Sequence, residues 1–220
     1  AEATFIPNDR AELKTAVDEC LLENHGSGTC PTYSSDTGYG AMGTWDTVKI
    51  IDMSELFKTT DDGEFNADIS GWQTTRVTSM QEMFHGQSRF DQDLSEWDVS
   101  KVTTMKKMFA GTDSDPSEFN QDLSKWQVGN VENMEGMFFN LIAFNQNLAE
   151  WDVSKVTTMK DMFYKAKVFD HDVSKWQVSK VTSMESMFRS SNEFNQDVSE
   201  WDVSRVTSME GMFQFAWKFD

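Results

Sequence analysis

Basic residues are the first scarcity: 19 Lys and Arg stand against 37 Asp and Glu in 220 residues, a formal charge of −18. That deficit argues against nucleic acid or an anionic membrane surface as partner, since both recruit proteins through Lys and Arg. It suits a solvated extracellular protein, a cation binder, or both. No apolar run approaches membrane-spanning length, so no membrane insertion is expected of this segment. No charged-then-apolar leader opens the sequence either, so any signal is expected to have been removed already. Histidine is limited to His25, His85 and His171, at unrelated places, and no H-x-x-x-H, nucleophile elbow or Gly-rich phosphate loop occurs. An enzyme is not expected, because every acid belongs to a repeated column or a loop.

Cysteine is nearly absent. Cys20 and Cys30 are the two, and a disulfide closing that short interval is the expected arrangement, implying an oxidising compartment. Two free thiols are the alternative; a two-Cys metal site would lack partners, His25 being the only imidazole nearby. Leu and Ile are also scarce, so 17 Phe, 8 Trp, 14 Met and the valines must build the core.

What the sequence does have is a period. Trp recurs at 45, 72, 97, 126, 151, 176 and 201, in steps of 27, 25, 29, 25, 25 and 25 residues. Phe lies seven before the Trp at 65, 90, 119, 144, 169 and 194; aliphatics lie three before, two after and five after (Leu94, Val99, Val102). Met lies eight after, and a Met-Phe pair eleven and twelve after (Met105, Met108, Phe109). Trp and the Val two residues on share one side of a short strand. Met105, Met108 and Phe109 have the spacing of one helical face, with Thr103 or Thr104 placed as cap. The expected fold is therefore an α/β repeat solenoid: a right-handed parallel stack of 25-residue strand–turn–short-helix units. The longer steps predict insertions within Thr59–Glu64 and Gly111–Glu118. Residues 1–44 lack the period and read as a cap, with a helix over Ala11–Leu22 capped by Asn8 or Asp9. Residues 45–220 read as seven repeats, truncated at the C-terminal end where Phe219-Asp220 opens another unit.

L-x-x-W-x-V, as Leu94-Ser95-Glu96-Trp97-Asp98-Val99, resembles the strand segment of leucine-rich repeats. The phrase F-N-Q-D-L-S-x-W-D-V-S-x-V-T-x-M-x-x-M-F, over about Trp45 to Asp220, closely resembles the BspA-like leucine-rich-repeat surface proteins, including the mycoplasma-type lipoprotein repeat of unknown function. Gly129, Asn130, Glu132 and Asn147 depart from the phrase. The resemblance implies a secreted or surface-anchored, non-enzymatic protein working in adhesion; it supplies no ligand.

Three sets of side chains are candidate sites. The first is a column of Asn or Asp six and four before each Trp: Asn66/Asp68, Asp91/Asp93, Asn120/Asp122, Asn145/Asn147, Asp170/Asp172 and Asn195/Asp197. Rungs about 4.8 Å apart would make stacked carboxylates repel by ~1 kcal/mol in water and ~3–4 kcal/mol at an effective dielectric of about 20. Each therefore accepts backbone N–H bonds at a turn, or the column holds a Ca²⁺ ladder. The second is the inserted loop, where Asp113, Asp115 and Glu118 form either a weaker Ca²⁺ candidate, without the central glycine of a Ca²⁺ loop, or a solvated acidic loop.

The third is the exposed face flanking Trp. Before Trp it alternates Glu96, Lys125, Glu150, Lys175, Glu200; after Trp it alternates Asp46, Gln73, Asp98, Gln127, Asp152, Gln177, Asp202. Four after Trp runs a basic column that includes Lys101, Lys155 and Lys180. On a parallel stack the alternating charges should meet one rung away. So monotonous a face suits a monotonous partner: a polysaccharide, another cell-surface protein, or a second copy of the chain. A surface interaction or adhesion module is the expected function; a Ca²⁺-stabilised or Ca²⁺-dependent glycan binder and a structural spacer are the alternatives.

Overall fold

The computed structural model describes residues 4–23, 26–59 and 63–220; His25 and the centre of the Thr59–Glu64 insertion lie outside them. Two helices open the chain. α1 spans Arg10–Glu23 and buries Leu13, Ala16, Val17 and Cys20 on one face. Asp9 caps it by accepting the Glu12 N–H at 3.0 Å, while the Glu12 carboxylate accepts the Asn8 N–H at 2.8 Å, a reciprocal pairing of end groups. α2 spans Pro31–Thr37, and the Cys20–Cys30 disulfide joins the two. The cap is fixed to the stack by the Arg10 guanidinium, whose Nε donates to the Ser54 carbonyl at 2.8 Å. Phe5 adds to this, stacked on Tyr39 and set edge-on to Trp45.

The remaining chain is a stack of rungs in which the strand–turn–helix unit does not form, so the expected leucine-rich-repeat-like α/β solenoid is overturned. Among the described residues there is no helix after α2 beyond a 3₁₀ turn at Met42–Thr44, and pairing is confined to isolated parallel bridges. The bridge column Asp52–Ser79–Thr104–Asn133–Thr158–Ser183–Ser208, seven residues after each Trp, shows that the repeats nonetheless stack in register.

Left-handed residues are the physical reason. The position ten after Trp has positive φ in every rung: Glu55, Glu82, Lys107, Gly136, Asp161, Ser186 and Gly211, all between 51° and 64°. A second set sits fourteen after Trp at Gly86, Asn140, Lys165, Ser190 and Phe215. Neither helix nor strand tolerates such residues at intervals of four. Met-x-x-Met closes a type II-like turn instead, with Met108 N–H bonding the Met105 carbonyl at 3.1 Å around Lys107. The intervening N–H groups point along the stack: those of Met105, Lys107, Phe109 and Gly111 donate to the carbonyls of Asn133, Glu135, Met137 and Phe139 at 2.8–3.2 Å. The Thr103 hydroxyl, expected as a helix cap, donates to Thr78 O one rung back at 3.1 Å.

The expected strand is likewise two turns. Trp97 N–H bonds Leu94 O at 3.1 Å, and Val102 N–H bonds Val99 O at 2.9 Å, leaving only Trp-Asp-Val extended between them. Trp97 and Val99 are buried and Asp98 exposed, so the alternation holds over three residues without a sheet. Here the rungs are joined by side chains. The indole N–H groups of Trp126, Trp151, Trp176 and Trp201 donate to Leu94, Leu123, Leu148 and Val173 carbonyls at 2.9–3.1 Å.

The core is two parallel Phe columns. Phe84, Phe109, Phe138, Phe163 and Phe188 stack at centroid spacings of 5.4–6.2 Å. Each faces a partner of the second column, Phe90, Phe119, Phe144, Phe169 and Phe194, at 3.8–4.3 Å. Phe, Trp, Met and Val do build the interior, as their abundance predicts.

Candidate interaction faces

The face flanking Trp is a row of turn tips. Glu96, Lys125, Glu150, Lys175 and Glu200 stand at the tip of the first turn and Lys101, Lys155 and Lys180 at that of the second. Asp98, Gln127, Asp152, Gln177 and Asp202 lie between; all thirteen are exposed. The three Asp carboxylates accept the Ser100, Ser154 and Ser204 N–H groups at 2.9–3.1 Å, and hydrogen bonds from those serines hold them below the ordinary carboxylate range. The Glu/Lys column meets only in part. Lys125 pairs with Glu96 at 3.0 Å, which raises the Lys125 pKa, but among the described residues Glu150, Lys175 and Glu200 form no such pair. At relative exposures of 66% and 78% the Lys125–Glu96 pair is a weak tie.

The Asn/Asp column is a backbone ladder. Six before Trp, Oδ1 of Asn66, Asp91, Asn120, Asn145 and Asp170 accepts the N–H of the equivalent residue one rung on, at 2.9–3.0 Å: Asp91, Asn120, Asn145, Asp170 and Asn195. Four before Trp, Oδ1 of Asp93, Asp122, Asp172 and Asp197 accepts a Ser N–H two residues on at 2.8–2.9 Å, and Asn147 accepts from Ala149 at 3.0 Å. Those bonds depress the four Asp pKa values. Among the described residues no group of three or more His, Cys, Asp and Glu gathers to hold a metal. In the inserted loop Asp113 is exposed and reaches Lys165 at 3.7 Å, whereas Asp115 turns inward.

One further column has no counterpart among the residues that the sequence pattern singles out. Thirteen after Trp, the rungs carry His85, Ala110, Phe139, Tyr164 and Arg189, a column that varies where its neighbours repeat. Phe139 stacks on Tyr164 at 4.9 Å and 5°, and the Arg189 guanidinium lies 5.8 Å from both the Tyr164 and Phe215 rings. The signal is variation at one repeat position, and the turn geometry leaves His85, Phe139, Tyr164 and Arg189 half-buried while Ala110 is fully buried.

The molecule is thus a turn-stacked repeat protein with a disulfide-bonded helical cap. The family described as Mycoplasma protein of unknown function, DUF285, matches residues 32–140 and again 113–220, and the chain belongs to it. That match covers the mycoplasma-type part of the resemblance and not its leucine-rich-repeat part. No curated protein and no solved structure matches the chain.

Proposed function

We propose that the chain is an extracellular, non-enzymatic interaction module that binds a repetitive partner, a polysaccharide or another cell-surface component, along its turn tips. The observation that carries this reading is the recurrence along the face: Lys101, Lys155, Lys180 and Arg205 stand at one exposed repeat position, three after Asp98, Asp152, Gln177 and Asp202. A ligand with its own repeat meets equivalent groups on successive rungs, and many weak contacts then add through effective concentration. The disulfide supports an oxidising location. Binding to a polysaccharide panel tests the reading, with Lys101, Lys155 and Lys180 all changed to Glu. Loss of binding with unchanged melting supports the face; binding that survives the triple reversal overturns it.

A further inference from the structure

Nine residues after Trp, the rungs pair Lys with Glu: Lys106 meets Glu135 at 3.1 Å and Lys160 meets Glu185 at 2.8 Å. The next rung breaks the alternation with Glu210, so two carboxylates stand on neighbouring rungs. Both line a cavity of about 380 Å³ together with Ser186, Arg189, Gly211 and Gln214. Gly211 leaves part of its wall bare: a Cβ there would lie 3.5 Å from both Ser186 Oγ and Gln214 Oε1, so the two oxygens converge on one space. Ser186 is only 7% exposed, yet its hydroxyl makes no hydrogen bond among the described residues. Arg189 is half-buried, its guanidinium held over the Tyr164 and Phe215 rings at 5.8 Å from each. Among the described residues neither that guanidinium nor the Glu210 carboxylate has an ion pair.

We propose that this cavity binds a free α-amino acid, its carboxylate on the Arg189 guanidinium and its ammonium among Glu210, Ser186 Oγ and Gln214 Oε1. The charges decide the class of ligand. A bare anion would meet Glu185 and Glu210 on a chain of net charge −18, and a bare cation would meet Arg189. A zwitterion with its two charges side by side answers both. The guanidinium is a planar fork that a carboxylate engages with both oxygens, and the rings beside it restrict its orientation before the ligand arrives. An ammonium carries three N–H donors, and the cavity offers it three acceptors. Lys160 already engages Glu185, which leaves Glu210 as the free carboxylate. There the ligand's ammonium takes the role that Lys160 has one rung earlier. The cavity uses none of the turn-tip residues and does not depend on the function proposed for them.

NMR titration of the full chain with glycine, L-alanine and L-serine, and in parallel with acetate, ethylammonium and glycine betaine, tests the assignment. Expected is saturable perturbation of the Gly211, Gln214 and Arg189 signals by at least one amino acid at millimolar concentration. Acetate and ethylammonium, each with one of the two charges, should bind about tenfold more weakly or worse. Betaine keeps both charges but has no N–H to donate, and should also bind weakly. Arg189→Lys keeps the charge and loses the fork, while Glu210→Gln removes the free carboxylate. Each should weaken amino-acid binding roughly tenfold or more with native melting. Glu210 is exposed, so Glu210→Gln keeps the test open should Arg189→Lys disturb the stack. The triple Lys-to-Glu variant at the turn tips should bind the amino acid as the parent does. Three results overturn the proposal: a single-charge probe or betaine binding as tightly as the amino acids, perturbation that either folded variant leaves intact, or no perturbation by any amino acid at about 50 mM.

Discussion

The indole N–H of Trp126 donates to the Leu94 carbonyl one rung earlier at 2.9 Å, both residues being buried. On this side of the stack, where no backbone ladder runs, that bond does the work of sheet pairing. Trp97 occupies the equivalent place one rung earlier, yet its buried Nε1 finds no acceptor among the described residues.

The pair supplies an internal control. Trp126→Phe removes the indole bond to the Leu94 carbonyl, which still accepts the Trp97 N–H, and also removes ring volume. Trp97→Phe removes similar volume but no hydrogen bond. Urea denaturation should show Trp126→Phe to be the costlier change by about 0.5–1.5 kcal/mol, the net worth of one hydrogen bond. Equal losses for the two variants would mean that ring volume, and not the indole bond, joins the rungs.

Much of this stack was legible in the sequence. The register, the buried Trp, Phe, Met and Val positions and the cap helix follow from spacing and composition, while the disulfide is one of the two arrangements that Cys20 and Cys30 allow. The local conformation was not, because Met105, Met108 and Phe109 at intervals of three and four fit a helical face and a type II-like turn equally well. Lys107, Asp161 and Ser186 at left-handed φ decide between them, and none of these residue types announces such a turn as Gly136 and Gly211 do. The exposed residues flanking Trp project from turns and not from the strand that the spacing predicts.

The oxygen ladder makes a calcium prediction. Each Oδ1 of Asp93, Asp122, Asp172 and Asp197 is bonded to a backbone N–H, whereas a Ca²⁺ site needs six to eight converging oxygens. Thermal melts in millimolar Ca²⁺ and in chelator should coincide; a rise in melting temperature with Ca²⁺ would restore the ion ladder.

Acid should loosen the same ladder. The carboxylates at 93, 122, 172 and 197 have folded pKa values below the ordinary one. Their stabilising effect is therefore full above the unfolded value near 3.9 and fades as pH falls through the folded values. Asn147 makes the same bond without a charge, so Asp122→Asn should keep neutral-pH stability and reduce the acid loss. Asp122→Ala should cost up to about 1 kcal/mol at neutral pH. Identical acid melts for the parent and Asp122→Asn would assign the acid transition to other groups.

The charged flanks of Trp contribute less than their alternation suggests. Lys125→Glu removes the exposed Lys125–Glu96 pair, while Lys175→Glu removes no ion pair among the described residues. The first change should lower melting slightly at low salt, an effect erased near 1 M salt where the screening length is about 3 Å. The second should leave melting unchanged. A large, salt-independent loss from Lys175→Glu would show the column to be a stacking device along its whole length.

Asp161 offers the opposite case, a residue whose replacement should stabilise. Its φ of 55° is left-handed, where a side chain costs about 1–2 kcal/mol, and burial raises its carboxyl pKa. Gly136 and Gly211 hold the same repeat position, so the turn accepts glycine. Asp161→Gly relieves the backbone and removes a desolvated charge, against an unfolded-chain entropy cost of about 0.5–1 kcal/mol. The net gain should be about 1 kcal/mol, a rise of roughly 2–4 °C in melting temperature for a chain of this size. The gain should shrink in acid, because a carboxyl with a raised folded pKa disfavours folding only once pH climbs past its unfolded value. Asp161→Asn removes the charge but keeps a side chain at left-handed φ, so it should recover only part of the gain. If Asp161→Gly lowers the melting temperature at neutral pH, the aspartate makes a contact in solution that outweighs its strain and burial.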